Sequence, residues 1–302
     1  MKKSVKKNRL NTFCKLVTIT CILGIVTTSD CQAQSPLKKG YAPLNELRLY
    51  YEIHGQGKPL VLIHGGLGCI ELFDPIVKNL AATRQVIAVD LQAHGRTADI
   101  NRPLSYEAMA DDIAGLLEYL HIPTADLMGF SVGGGVVQQV AIRHPQVVNK
   151  LVVLSAPYKH QGWYPEIQQG QAQMAQAAEA LKSTPLYGLY ASLAPRKEDW
   201  TVLCTKLAEF LKKDYDWSKE VEAIRKPVLL IAGDADALSP AHLTEFFGLL
   251  GGGQQDGGWD GAGVPVSSLA ILPGATHYNV ISSATLVPIV TAFLDKQAGQ
   301  RR

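Results

Sequence analysis

The apolar residues of this chain fall into two rhythms that alternate along most of its length. One is a short continuous run closed by glycine, proline or a polar residue: "PLVLIHGG" (Pro59–Gly66), "RQVIAVDL" (Arg84–Leu91), "ADLMGFS" (Ala125–Ser131), "NKLVVLSAP" (Asn149–Pro157), "KPVLLIAGD" (Lys226–Asp234) and "SSLAILPG" (Ser267–Gly274). Such runs mark strands covered on both faces. "LRLYYEIHG" (Leu47–Gly55) instead alternates apolar and polar, as a strand with one wet face does. The second rhythm repeats at three and four residues. "SYEAMADDIAGLLEYLHI" (Ser105–Ile122) opens on a serine suited to cap a helix, "VGGGVVQQVAIRHP" (Val132–Pro145) directly follows a buried run, and "SATLVPIVTAFLDK" (Ser283–Lys296) comes last. Strands and helices alternating at this spacing predict βαβ units, a mostly parallel sheet and an α/β fold.

Two stretches break the alternation. Residues 158–217 hold no strand-like run, only helical patterns in "EIQQGQAQMAQAAEALK" and "RKEDWTVLCTKLAEFLKKD", and read as a helical insertion between two strands. Residues 251–263 ("GGGQQDGGWDGAG") carry seven glycines in thirteen positions and read as a surface loop. The chain has no internal repeat.

Composition adds little until it is resolved along the chain. With 302 residues, 47% hydrophobic and 19% charged, the protein can build a sizeable core. The formal charge of +2 hides an asymmetry: residues 1–33 hold six Lys/Arg and one acid, leaving 23 basic and 26 acidic side chains, a net of −3, on the rest. So mildly acidic a body lacks the electrostatic footprint of a nucleic-acid binder. The basic end has the anatomy of a secretory signal: a cationic region to Lys15, the apolar "LVTITCILGIV" (Leu16–Val26), then small and polar residues ending "SDCQAQS". That apolar stretch is too short for a membrane span. Cleavage after Ala33 would put Cys31 and Ala33 at the positions that accept small side chains. A lipid-modified Cys31, disfavoured by the preceding Asp30, and an uncleaved amphipathic anchor are the alternatives. The expectation is an exported protein, periplasmic or extracellular, with no membrane span once the signal is removed. Cys14, Cys21 and Cys31 would leave with it, and Cys69 and Cys204 are expected as unpaired, buried thiols.

The candidate chemistry starts at "GFSVGGG" (Gly129–Gly135). Glycines can simply mark close backbone packing. Here they surround a serine between a predicted strand and a predicted helix, in the pattern G-x-S-x-G, which at such a turn holds the hydroxyl of Ser131 outward. A serine hydroxyl needs a base within hydrogen-bond reach and a carboxylate to fix that base's tautomer. "LLIAGDADALSP" places Asp234 and Asp236 just past a buried strand, and "LAILPGATHYNV" places His277 past the next. Strand C-terminal ends are where sites form in open α/β sheets. Asp236 is favoured as the acid, with Asp234 bonding backbone in the turn. Oxyanion donors are expected from the N–H of Val132 and from Gly66 or Leu67 in "HGGLG", where His64 reads as structural.

Taken in order, "HGGLG", "DLQAHGRT", "GFSVGGG", "GDADALSP" and "GATHYNV" resemble the α/β-hydrolase superfamily, in the branch with a helical cap before the acid-bearing strand. The resemblance spans roughly residues 41–296. It implies an eight-stranded, mostly parallel sheet with helices on both faces, a core formed by residues 34–157 and 218–302, and a cap at 158–217. It makes Ser131 the nucleophile, Asp236 the acid, His277 the base, and Gly66 and Val132 oxyanion donors. Ala93 departs from the pattern, standing where glycine is usual in the "DLQAHGRT" turn.

The implied activity is a serine hydrolase acting on a small-molecule carboxylic ester through an acyl-enzyme, with no cofactor and no metal. The remaining histidines (His54, His94, His121, His144, His160 and His242) show no ligand spacing. The same triad also serves lactone, amide and C–C bond (vinylogous diketone) hydrolysis and perhydrolysis; a non-catalytic binding protein of the same fold is the reading outside enzymes. Trp163, Tyr187, Tyr190 and Trp200 are the candidates to line a substrate pocket, with cap packing as their alternative. Nothing in the pattern specifies an oligomeric state. Mass spectrometry of exported protein is expected to find Gln34 at the amino terminus; a diacylglyceryl group on Cys31 would make the protein a lipoprotein instead.

Overall fold

Each predicted apolar run becomes a strand in the computed structural model, which describes residues 36–296. The expected signal at 1–33 lies outside the described residues. Eight strands form one sheet: β1 (Lys38–Leu44), β2 (Leu47–His54), β3 (Lys58–Ile63), β4 (Arg84–Asp90), β5 (Ala125–Phe130), β6 (Val148–Leu154), β7 (Val228–Ala235) and β8 (Ser268–Thr276). Their spatial order is β1-β2-β4-β3-β5-β6-β7-β8, with β1 and β2 antiparallel to their neighbours and β3 to β8 parallel. β1 escaped the sequence pattern. It is an edge strand of mixed lysine, proline and aromatic content, exposed along much of its length.

Period-two alternation sorts the central strands between two cores. Val61, Ile63, Ile87, Val89, Leu127, Leu151 and Val153 face one side, against α2 (Tyr106–Tyr119) and α3 (Val132–Arg143). Leu60, Leu62, Val86, Ala88, Met128, Val152 and Leu154 face the other, against α1 (Asp74–Ala81) and the C-terminal helix (Leu286–Asp295). Ser105 caps α2 as its position predicted, its Oγ accepting the N–H of Ala108 at 3.1 Å.

Between β6 and β7 the chain forms α4 (Pro165–Ala172), α5 (Met174–Leu181), α6 (Pro185–Leu193) and α7 (Trp200–Leu211), then the short α8 (Ser218–Glu222). It leaves and returns through a two-stranded neck: His160 N–H donates to Tyr215 O at 2.8 Å and Trp217 N–H to Tyr158 O at 3.1 Å. A further helix, α9 (Pro240–Leu249), precedes the glycine-rich loop, whose Trp259 is fully exposed; the C-terminal helix is α10. Cys69 and Cys204 are both free and buried.

Buried cations tie the strand N-terminal ends to α10. Arg84 pairs with Asp126 at 2.9 Å and with Asp295, and is 2% exposed. Lys150 donates to the carbonyls of Phe293 (3.1 Å), Leu294 (2.9 Å) and Lys296, capping α10 where its last carbonyls lack helical partners. Lys150→Met is expected to lower stability by about 1–3 kcal/mol, the worth of charge-assisted bonds to carbonyls left buried. An unchanged urea midpoint would show that the cap contributes nothing.

Candidate active site

The turn from β5 into α3 forces the geometry of the site. Ser131 occupies it with φ +54 and ψ −116, a region that costs a non-glycine residue about 1–3 kcal/mol and persists only where its surroundings impose it. Its own N–H is tied to Leu154 O on β6 at 2.9 Å. The flanking glycines supply the room. A Cβ on Gly129 would sit 2.0 Å from the carbonyl oxygen of Gly133, and one on Gly133 would sit 2.1 Å from that of Ile63. Both sets of contacts are impossible for any side chain. The glycine run is therefore close backbone packing, and that packing is what presents the hydroxyl.

Three side chains from three strand ends meet there. The Ser131 Oγ stands 3.1 Å from His277 Nε2, and His277 Nδ1 stands 2.8 Å from Asp236 Oδ1. Asp236, 7% exposed, also accepts the N–H of Ala237 at 2.7 Å on Oδ1, and the hydroxyl of Ser155 (2.6 Å) and the N–H of Gly233 (2.9 Å) on Oδ2. Burial raises this carboxyl's pKa, but the bonds from His277, Ser155 and Gly233 outweigh it and hold the group below the usual carboxylate range. Asp234 bonds elsewhere, accepting the N–H of Gly274 at 2.9 Å across the neighbouring strand.

His277 lies between two aromatic rings. Phe130 is tilted over it at 4.8 Å and Trp163 meets it edge-on at 5.7 Å. Trp163 is held over the site by a backbone bridge to Leu238 and by the N–H of Tyr164 donating to Ala237 O at 3.1 Å. Of the four aromatic pocket candidates, only Trp163 is brought against His277. Tyr187 and Tyr190 pack on Trp200 at 5.4 and 5.2 Å, and Trp200 is fully buried with its indole N–H on Ala178 O. These three pack on one another within the insertion, Tyr190 and Trp200 buried and Tyr187 partly so. Sequence reasoning missed Ser155. The available signal was its place directly after a buried strand, in "VVLSAP", as Ser131, Asp236 and His277 follow theirs.

The loop expected to donate N–H groups runs beside Ser131. A Cβ on Gly66 would touch Val132 Cγ2 at 3.4 Å, and Leu67 holds φ +58. Val132 opens α3, so its N–H has no partner within the helix. His64 fixes this loop. Its Nε2 accepts the N–H of Leu91 at 3.0 Å and its Nδ1 donates to Gly65 O at 2.7 Å, with the ring fully buried. Asp90 clamps the same region, accepting the N–H groups of Ile70 and Arg96. Within its turn Ala93 takes φ +67, so the departure from glycine leaves a methyl group in a left-handed position. Among the described residues no three His, Cys, Asp or Glu side chains stand close enough to share a metal ion.

Comparison with known proteins gives the same fold. A family model described as "alpha/beta hydrolase fold" matches residues 58–201. An enol-lactonase from Burkholderia xenovorans superposes with TM-score 0.65 at 20% identity, covering 85% of this chain and all of that one. The chain has the α/β-hydrolase fold, and the family match spans just under half of its length, including the Ser131 turn. A relative from Azorhizobium caulinodans provisionally named carbamate hydrolase RutD is 28% identical over 223 residues, 68% of this chain and 83% of that protein. A 2-hydroxymuconate semialdehyde hydrolase from a Pseudomonas species is 37% identical over 108 residues, and the match spans only 38% of its length.

Two predictions test how the α/β-hydrolase scaffold holds this site. Gly129→Ala is expected to destabilise the protein by more than about 3 kcal/mol, or to prevent folding, because backbone atoms cannot yield to the added methyl. Normal thermal stability in this variant would refute the close approach. The second concerns protons. Burial drives His64 down to about 3, helped by the neighbouring His94, and burial drives His94 down to about 4. Both rings stay neutral in the folded chain while their unfolded counterparts, near pKa 6.5, take up protons as pH falls. Their contribution is therefore complete above about pH 6.5 and declines toward the folded values, by about 1.4 kcal/mol per ring per pH unit. A urea midpoint that stays constant down to about pH 5 would contradict this.

Proposed function

We propose that this protein is a serine hydrolase that cleaves small carboxylic esters through an acyl-enzyme. The observation that carries the reading is the unbroken hydrogen-bonded line from Ser131 through His277 to Asp236, assembled at the C-terminal ends of parallel strands. Asp236 fixes the imidazole with a proton on Nδ1, leaving Nε2 as a base for the Ser131 hydroxyl. As Ser131 Oγ bonds to the carbonyl carbon, His277 takes its proton, and the N–H groups of Val132 and Gly66 or Leu67 receive the oxyanion. His277 then protonates the departing alkoxide, and water repeats the sequence on the acyl-enzyme to free the acid. An ester needs no cofactor for these steps.

The described core, the family match and the hydrolase names of the relatives support hydrolysis in general; the serine mechanism and the ester are our reading. Lactones are the second substrate class, because a cyclic ester follows the same steps and a structural neighbour is an enol-lactonase. The residues at 158–217 serve as the cap in this reading, with Trp163 reaching the base. The basic leader directs export.

A fluorophosphonate probe tests the central claim. Labelling of the purified protein is expected, and its loss in Ser131→Ala. A well-folded wild type that resists labelling would favour a binding protein on the same scaffold. Asp236→Ala is expected to reduce turnover of a short-chain nitrophenyl ester at least about a hundredfold, the scale of base-assisted proton transfer, with Asp234→Ala close to wild type. The reverse order would reassign the acid.

A further inference from the structure

Asp236 is bound more tightly than a partner for one imidazole requires. Of its two side-chain partners, one is His277 and the other is Ser155, which comes from β6, a strand that contributes nothing else to the triad. Ser155 follows its strand as Ser131 follows β5. Both are non-glycine residues in the left-handed region, at φ +52 and φ +54. Their backbones are laced across the strand ends: Ser131 N–H donates to Leu154 O at 2.9 Å, and Ser155 N–H to Ile231 O on β7 at 2.8 Å. Ser155 is fully buried. A left-handed turn alone would be served better by glycine, so the backbone does not explain why a hydroxyl is buried there. The carboxylate does.

We propose that Ser155 is a positioning residue for the triad: its hydroxyl holds Oδ2 of Asp236 so that Oδ1 faces His277 Nδ1. The inference rests on the serine-hydrolase reading above. With Gly233 and Ala237 donating backbone N–H groups, Ser155 completes a set of four donors around the carboxylate. That set leaves it one orientation. The titratable groups around the pair are few. His277 comes from the segment after β8, Tyr278 follows it pointing outward at 87% exposure, and Asp234 at the end of β7 is turned to Gly274. Ser131, Phe130 and Trp163 contribute no charge. Loss of the Ser155 donor therefore acts on the imidazole through Asp236. The carboxylate, relieved of one bond to Oδ2, attracts the imidazolium more strongly and holds its proton to higher pH.

The test uses Ser155→Ala and Ser155→Gly. Both remove the hydroxyl, but glycine also relaxes the left-handed backbone, so its melting temperature is expected to equal or exceed that of the alanine variant. Two readouts follow across the titration range of imidazole: the rate constant of fluorophosphonate labelling, and the His277 ring by histidine-labelled NMR. In both variants the acid limb of labelling and the NMR midpoint of His277 are expected to move up by about half a pH unit. The plateau labelling rate is expected to fall about tenfold as Asp236 loses its fixed rotamer. Folded variants with wild-type midpoint and plateau would overturn the proposal. If the wild type itself does not label, the serine-hydrolase reading fails, and the NMR midpoint still decides whether Ser155 acts on the pair.

Discussion

The site depends on one close approach of backbone to backbone. β5 turns into α3 so sharply that the carbonyl of Gly133 and the α-carbon of Gly129 are nearly in contact, while Gly133 presses on the end of β3. Nothing larger than hydrogen fits at either point. Of the three residues between them, Ser131 alone takes the left-handed strain, and it is held outward at the start of a helix. Every other part of the site is arranged around that fixed hydroxyl.

Parallel strands make the arrangement possible. Because β5, β6, β7 and β8 all run the same way, their C-terminal ends lie along one edge, and each delivers one polar residue there: Ser131, Ser155, Asp236 and His277. Hydrogen bonds between neighbouring strand ends fix the spacing. The aromatic rings of Phe130 and Trp163 then confine the imidazole from two sides, one belonging to the sheet and the other to the inserted helices. The insertion is thus joined to the site at the loop that carries Asp236, through Trp163, Tyr164, Ala237 and Leu238.

Two polar groups buried around this edge, His64 and Asp236, are satisfied in ways that leave one neutral and the other charged. His64 has a partner on each nitrogen and loses its proton affinity to burial. Asp236 is also shifted down, but for a carboxylate this keeps the charge, because four donors outweigh its burial. The contrast separates a histidine that stays neutral and shapes a loop from a carboxylate that stays charged and holds an imidazole.

Much of this was legible in the sequence. Continuous apolar runs give buried parallel strands because both faces of such a sheet are covered, and polar residues just past those runs must gather at one edge. That logic reached Ser131, Asp236 and His277, and separated Asp236 from Asp234 by the tendency of an aspartate at a strand end to bond backbone. β1 stayed hidden because an edge strand half in water has no distinctive pattern. Ser155 stayed hidden because a serine after a strand looks like any turn residue until the strand order brings β6 against β7. Tyr187, Tyr190 and Trp200 were ambiguous for a related reason: aromatic content does not say whether a ring faces a pocket or its neighbours. The sequence by itself determined which residues are apolar, which turns need glycine and which side chains follow strands. Only the tertiary structure decided which of those side chains touch, because contact depends on strand order and on how short helices pack, and neither is written in local spacing.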